Sequence, residues 1–199
     1  MAYRAVRDLV IGLEIAPGSP IVEADLMAKI GVGRTPLREA LNRLEAERLV
    51  RIFPRRGTFA TDINLSDLAL ITDLREELEG HAAAKAAERS TQQERETLVE
   101  MSRDLSAPTT EGQMQLDTDI HRSIYASAHN HFLEETATLY HNLAMRIWHL
   151  FVDRLTDFGD HVQEHHDLLS QIVAGLPEQA RQTAVAHVRN FEYSVRTLL

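Results

Sequence analysis

The chain has 199 residues, a formal net charge of −9 and no cysteine. That length suits one large domain or two small ones, and the missing thiols exclude disulfide frameworks and thiolate metal sites. No apolar run approaches the roughly 20 residues of a membrane span, and Met1-Ala-Tyr-Arg lacks the apolar centre of a signal peptide, so a soluble, cytoplasmic protein with no membrane partner is expected.

Charge is unevenly divided. Residues 1–61 hold ten Lys/Arg against seven Asp/Glu, or +3, while the remainder holds eleven against twenty-three, or −12, and all ten histidines. An electropositive head on an acidic body fits a nucleic-acid-binding module joined to a part with different chemistry.

In chain order, residues 3–11 place Val6, Leu9 and Val10 on one side of a short first helix ended by Gly12, and Pro17-Gly18 marks a turn. A second helix is expected over 22–30 with Leu26 and Ile30 inward, and Gly31 and Gly33 flank a turn of helix-turn-helix length. The third runs from about 35 to 48. Thr35 is its expected N-cap, Pro36 its first residue, and Leu37, Leu41 and Leu44 share a buried face. Arg34 and Arg38 project together from its N-terminal turn, the end that a helix-turn-helix inserts into the major groove. There a guanidinium can bond a guanine edge or a phosphate. Alone, this helix reads equally well as an amphipathic surface helix with solvated arginines. Two β-prone segments, 49–53 and 58–61, surround Pro54-Arg55-Arg56-Gly57 and add a hairpin with a basic tip. Three helices plus such a hairpin make a winged helix-turn-helix, whose wing can reach phosphates or the minor groove.

Beyond Asp62 only helical periodicity remains. Asn64 or Ser66 can cap a helix to about Arg89 whose apolar face is 68, 71, 74, 78 and 82. Thr91-Gln-Gln-Glu94 reads as a capping box for a helix to about Leu105, broken by Pro108. Further helices are expected over 110–129, from an Asn130 cap to about 155, from Asp160 to Gly175, and from Pro177 to about 197. The predicted fold is mainly α: an N-terminal winged helix-turn-helix over 1–62 and a C-terminal antiparallel six-helix bundle over 63–199.

These motifs carry a family resemblance. Residues 17–60 resemble the winged-helix domain of GntR-type transcriptional regulators, through Pro17-Gly18, Glu23, Leu26, the run Gly-Val-Gly-Arg-Thr-Pro-Leu-Arg-Glu-Ala-Leu-Asn-Arg-Leu-Glu at 31–45, Leu49-Val50 and Arg55-Arg56-Gly57. The C-terminal part resembles the FCD ligand-binding domain of the FadR-like branch, through Leu74-Arg75-Glu-Glu-Leu78-Glu79, Asp117-Thr-Asp-Ile-His121 followed by Asn130, Glu164-His165 and Ala186-His187. The resemblance implies a homodimeric DNA-binding repressor on an inverted-repeat operator, released by a small organic acid. It implies DNA contacts from Arg34, Thr35, Arg38 and the wing residues Arg55, Arg56 and Gly57. Some members read a base with an arginine early in the second helix; here that position is Ala24, so their operator sequence does not transfer.

Asp117 and His121 are i, i+4 and can reach one point in space. His165 shares a helical face with Val162, Leu169 and Ile172, and His187 with Ala184 and Phe191, so both histidines point toward a buried side. Three imidazoles and a carboxylate are a common set for a divalent transition metal such as zinc or nickel, and the resemblance assigns these four positions as its ligands. A lone inward histidine is otherwise a hydrogen-bonded core residue. His81, His129, His131, His141 and His149 read as surface or packing residues.

An ion held by three neutral imidazoles and one carboxylate keeps about one positive charge, and an octahedral one leaves two positions free for a carboxylate effector. Arg75, Asn130 and Arg146 are candidate contacts to that effector, although ion pairing and, for Asn130, helix capping are competing roles. A reading from another class makes the helical part a metal-dependent hydrolase or lyase with an accessory DNA-binding head; such chemistry needs a general base beside a metal-bound water, and none is evident.

Overall fold

Leucines four apart on the third helix set the N-terminal architecture. A computed structural model describes residues 1–103, 105, 109–151, 154 and 159–198, leaving aside the side chains of 110, 111 and 159–162. The chain divides into two units, Met1–Ser66 with Asn142–Leu150, and Asp67–His141 with Phe151–Leu199.

In the first unit α1 (Ala2–Ile11), α2 (Glu23–Ile30) and α3 (Arg34–Ala46) precede a three-stranded antiparallel sheet. Its strands are β1 (Pro20–Ile21), β2 (Val50–Phe53) and β3 (Gly57–Ala60), in the order β1-β3-β2. The two-residue β1, pairing Ile21 with Thr58, adds to the expected hairpin. Val6, Leu9 and Val10 of α1 meet Leu26 of α2, Leu37, Leu41 and Leu44 of α3, and Leu49 and Val50 in one apolar core. Each such side chain, fully buried, contributes about 1.5–3 kcal/mol.

The start of α3 differs from expectation. Gly33, extended at φ −80° and ψ 174°, occupies the N-cap, so the helix opens at Arg34 and Thr35 is already inside it. Gly31, left-handed at φ 67°, has by then reversed the chain after α2. The second half of α7 (His131–His149) also belongs to this unit. There Leu143 packs against the core, and Arg146 donates from Nη1 to Thr61 Oγ1 at 2.6 Å and from Nη2 to the Thr61 carbonyl at 2.7 Å.

The second unit is built from α4 (Leu68–Arg89), α5 (Gln92–Arg103), α6 (Thr110–Ser127), α7 to His141, α8 (Gly159–Val173) and α9 (Pro177–Arg196). The break expected at Pro108 and the helix end expected near 155 lie outside the described residues, as does the side chain of Asp160. The capping box forms as read, with Thr91 N–H donating to Glu94 Oε2 at 2.7 Å and Glu94 N–H to Thr91 Oγ1 at 3.3 Å. Pro177 begins α9. Arg95 ties helix ends together, donating to the carbonyls of Ala87 at the end of α4 and of Ile172 at the end of α8. A cation there also opposes the negative C-terminal ends of both helices.

The buried side of α4 follows the predicted apolar stripe only in part: Leu68 and Ala82 are buried and Leu78 packs against the core. Leu74 is 45 % exposed, whereas Thr72, Arg75 and Glu79 are buried alongside Leu68, Ala82, Ala83 and Ala86. Small residues let α9 lie close: a Cβ at Gly80 would stand 2.8 Å from Val185 Cγ2 and 3.2 Å from Arg181 Cγ. Among the described residues no helix is long and apolar enough to cross a membrane.

Candidate functional site

Two groups of residues carry chemistry. In the N-terminal unit, Arg34, Thr35 and Arg38 are exposed on the first turns of α3. Glu23, in the first turn of α2, holds Arg38 by an ion pair at 3.5 Å. On the wing, Arg55, Arg56 and Gly57 are exposed at the tip. Pro54 and Arg55 form the corner of a turn closed by the Arg56 N–H on the Phe53 carbonyl at 3.1 Å, with Arg55 left-handed at φ 64°. That conformation is ordinarily given to glycine or asparagine. Arg51, exposed on β2, precedes the turn and so lies outside the predicted basic tip; its guanidinium and that of Arg56 lie 5.7 and 5.6 Å from the Phe53 ring. Two guanidiniums thus flank the Phe53 ring of the hairpin.

In the C-terminal unit α6 brings Asp117 and His121, α8 His165 and α9 His187 to one buried point. Their ligand atoms all lie within 4.8 Å of one another. His165 Nε2 is 3.2 Å, His121 Nε2 3.7 Å and His187 Nε2 3.9 Å from Asp117 Oδ1, and the Nε2 atoms of His121 and His187 are 3.3 Å apart. Ligand atoms at roughly 2.0–2.1 Å from a common ion would be separated by about 3.3 Å in a tetrahedral shell and about 2.9 Å in an octahedral one. Asp117 Oδ1 and His165 Nε2 are buried without a hydrogen bond despite their proximity. A cation between the four satisfies both atoms, so the donor set fits a divalent transition ion.

Carboxylates stand behind two of the imidazoles. Glu79 Oε2 takes the Nδ1–H of His121 at 2.8 Å, and Glu164 Oε2 that of His187 at 2.8 Å, which turns both Nε2 atoms inward. The other oxygen of Glu79 accepts from Arg75 Nε at 2.6 Å. Burial opposes the charge on Glu79, but Arg75 and then His121 outweigh it and hold the carboxyl far below its usual range. Burial likewise opposes the charge on Asp117, which His121 and His165 hold well below the carboxylate range. Burial, reinforced by His165, pulls His187 down to about 4, so its neutral, ligand-competent form prevails. The carboxylate–histidine pairing fixes ring orientation and raises ligand basicity.

The expected effector contacts find other work. Arg75 is 4 % exposed and committed to Glu79. Asn130 caps α7, accepting from the Leu133 N–H at 3.3 Å. Arg146 is bound to Thr61 in the N-terminal unit. Conversely, His141, read as a surface or packing residue, is 1 % exposed with its ring 4.7 Å from that of His121. No i, i+4 spacing connects it to the cluster, because α7 brings it there through tertiary packing.

Comparison with known proteins decides the family. The model of the gntR family of bacterial regulatory proteins matches residues 1–60, and that of the FCD domain matches residues 70–190. The chain belongs to the GntR family of regulators. The Nta operon transcriptional regulator of Aminobacter aminovorans is 30% identical to this GntR-family chain over 193 residues, covering 84% of it and 92% of the relative. The transcriptional repressor RspR of Escherichia coli K12 is 22% identical over 200 residues, covering 98% and 88%. Among solved structures, E. coli McbR/YncC superposes with a TM-score of 0.85 at 20% identity, over 99% of this chain and 96% of that one, a likeness of fold. This GntR-family protein is therefore a transcription regulator and not an enzyme, and the alternative of a hydrolase or lyase with a DNA-binding head falls.

Proposed function

We propose that this regulator is a homodimeric, cytoplasmic repressor that leaves an inverted-repeat operator when a small carboxylate binds at a metal centre in its FCD domain. Residues 1–62 serve as the DNA-binding domain and 63–199 as the effector-binding and dimerisation domain. Arg34, Thr35 and Arg38 enter the major groove, and Arg55, Arg56 and Gly57 of the wing meet the flanking backbone. Two-fold symmetry of the dimer matches the symmetry of the operator.

Asp117, His121, His165 and His187 are the residues that would hold the ion, zinc or nickel by their chemistry. Bound there, it supplies a net positive charge with coordination positions open to a carboxylate. Glu79 and Glu164 orient His121 and His187 for it, and Arg75 keeps Glu79 ionised. The observation that carries this reading is the buried, hydrogen-bond-deficient pair Asp117 Oδ1 and His165 Nε2 at the centre of four converging ligand atoms. For release of DNA, the effector must bind the DNA-incompetent arrangement more tightly, and a coupling of about 1–3 kcal/mol suffices.

Elemental analysis of protein purified without added metal, paired with gel shifts on an operator fragment, tests the reading. It predicts about one ion per chain, lost in His121→Ala, and release of DNA by a carboxylate only from metal-loaded protein. A chelator that lowers the melting temperature yet leaves the carboxylate response intact makes the ion structural and removes the sensing role.

A further inference from the structure

His141 makes no hydrogen bond that accounts for its place. On the first half of α7 it is buried against the rings of His121 and Tyr125, at centroid distances of 4.7 and 6.3 Å, and neither ring nitrogen has a hydrogen-bond partner. Its Nε2 lies 3.9 Å from Asp117 Oδ2, beyond direct bonding. A neutral imidazole offers one N–H donor and one acceptor. Glu79 is already taken on both oxygens by Arg75 and His121. A buried imidazole with no partner carries a desolvation penalty that a bound molecule would remove.

The geometry points to His141 as a ligand-contacting residue: its N–H donates to an oxygen of the small carboxylate bound beside Asp117 and His121. This rests on the metal-centre reading above. His141 is not a fifth metal ligand, since its nitrogens do not fall in the Asp117, His121, His165, His187 set but group with Glu79 and His121. A second cation in that group is opposed by the Arg75 guanidinium on the same carboxylate. His141 differs from the four converging ligands in origin, because it comes from α7, whose next residue, Asn142, belongs to the N-terminal unit. One turn further on, Arg146 binds Thr61.

The test uses the full chain with Co²⁺ as the metal probe and acetate as the carboxylate probe, followed by the visible cobalt spectrum. His141→Phe should take up Co²⁺ as the wild type does, with the same spectrum before acetate, but need about tenfold more acetate for the half-maximal change, the loss of one hydrogen bond to a charged group. His141→Gln, which keeps an N–H donor, should recover most of that loss; His141→Leu serves where the phenyl ring is not accommodated. Equal acetate midpoints in wild type and the apolar variants, or a wild-type spectrum indifferent to acetate, overturn the assignment. Loss of Co²⁺ from both His141→Phe and His141→Gln makes His141 a metal ligand and overturns it too. A wild-type protein that takes up no Co²⁺ defeats the metal centre itself, a different failure.

Discussion

Glu79 receives the Nδ1–H of His121 at 2.8 Å on one oxygen while its other oxygen is held by Arg75 at 2.6 Å. Both side chains of the Arg75–Glu79 pair are about 5 % exposed or less, so neither charge can be rescued by water. Arg75→Ala should therefore cost about 3–5 kcal/mol of stability, because it strands a buried carboxylate. The double variant Arg75→Met, Glu79→Leu should recover most of that stability in urea titrations. It should still bind metal about 10–100-fold more weakly, since His121 loses its orienting carboxylate.

Reading and wing arginines should separate in their salt dependence. Arg34→Ala and Arg38→Ala should each cost about 1–3 kcal/mol on the matched operator and relax preference at one base-pair position. Arg51→Ala and Arg55→Ala should weaken all sequences alike and flatten the salt slope by about one counterion each. Fluorescence anisotropy on matched and scrambled duplexes from low to moderate salt distinguishes the two patterns. Identical losses on both duplexes for Arg34→Ala would unseat α3 as the reading element.

At the wing tip Arg55 occupies a left-handed corner, φ 64°. Glycine adopts that conformation without strain, and the gain is on the order of 1 kcal/mol before its extra unfolded-state entropy is subtracted. Arg55→Gly should thus leave the melting temperature unchanged or slightly raised while DNA affinity falls. Strain retained at an exposed arginine is explained if the guanidinium is needed there.

Tyr3 links α1 to the end of α3. Its hydroxyl donates to both oxygens of Glu47 at 2.8–2.9 Å, and the Arg43 guanidinium lies 3.8 Å from its ring centroid. Burial, then Glu47, raise its pKa above the ordinary 10.0. An unfolded tyrosine ionises at about 10 while the folded one keeps its proton, so its contribution is complete below pH 10 and is lost as pH rises through the folded value. Thermal unfolding of the wild type should fall off above pH 10, and Tyr3→Phe should show a shallower alkaline decline.

Local pattern disclosed much of this architecture and physical competition hid the rest. Leu37, Leu41 and Leu44 announce α3 because one apolar stripe suffices, whereas Thr35 misled as a cap since the extended Gly33 had already closed the helix start. The stripe on α4 failed at Leu74 because counting apolar residues cannot register a buried ion pair, and Arg75 and Glu79 take the inward places. Two residues of β1 are too short a signal to stand out. Asp117 and His121 were legible as i, i+4 partners on one helix, and the resemblance supplied His165 and His187. Glu79, Glu164 and His141 were not singled out for the centre, since what brings them there is helix packing across long sequence separations.

Gly80 is where α4 touches α9 with no room for a methyl group. Its neighbour in sequence, Glu79, steers His121, and two residues beyond the opposing Val185 stands His187, so this bare spot works as a spacer gauge for the whole coordination cage. Alanine at position 80 would wedge the helices apart and loosen the grip on an ion without replacing any atom that touches it.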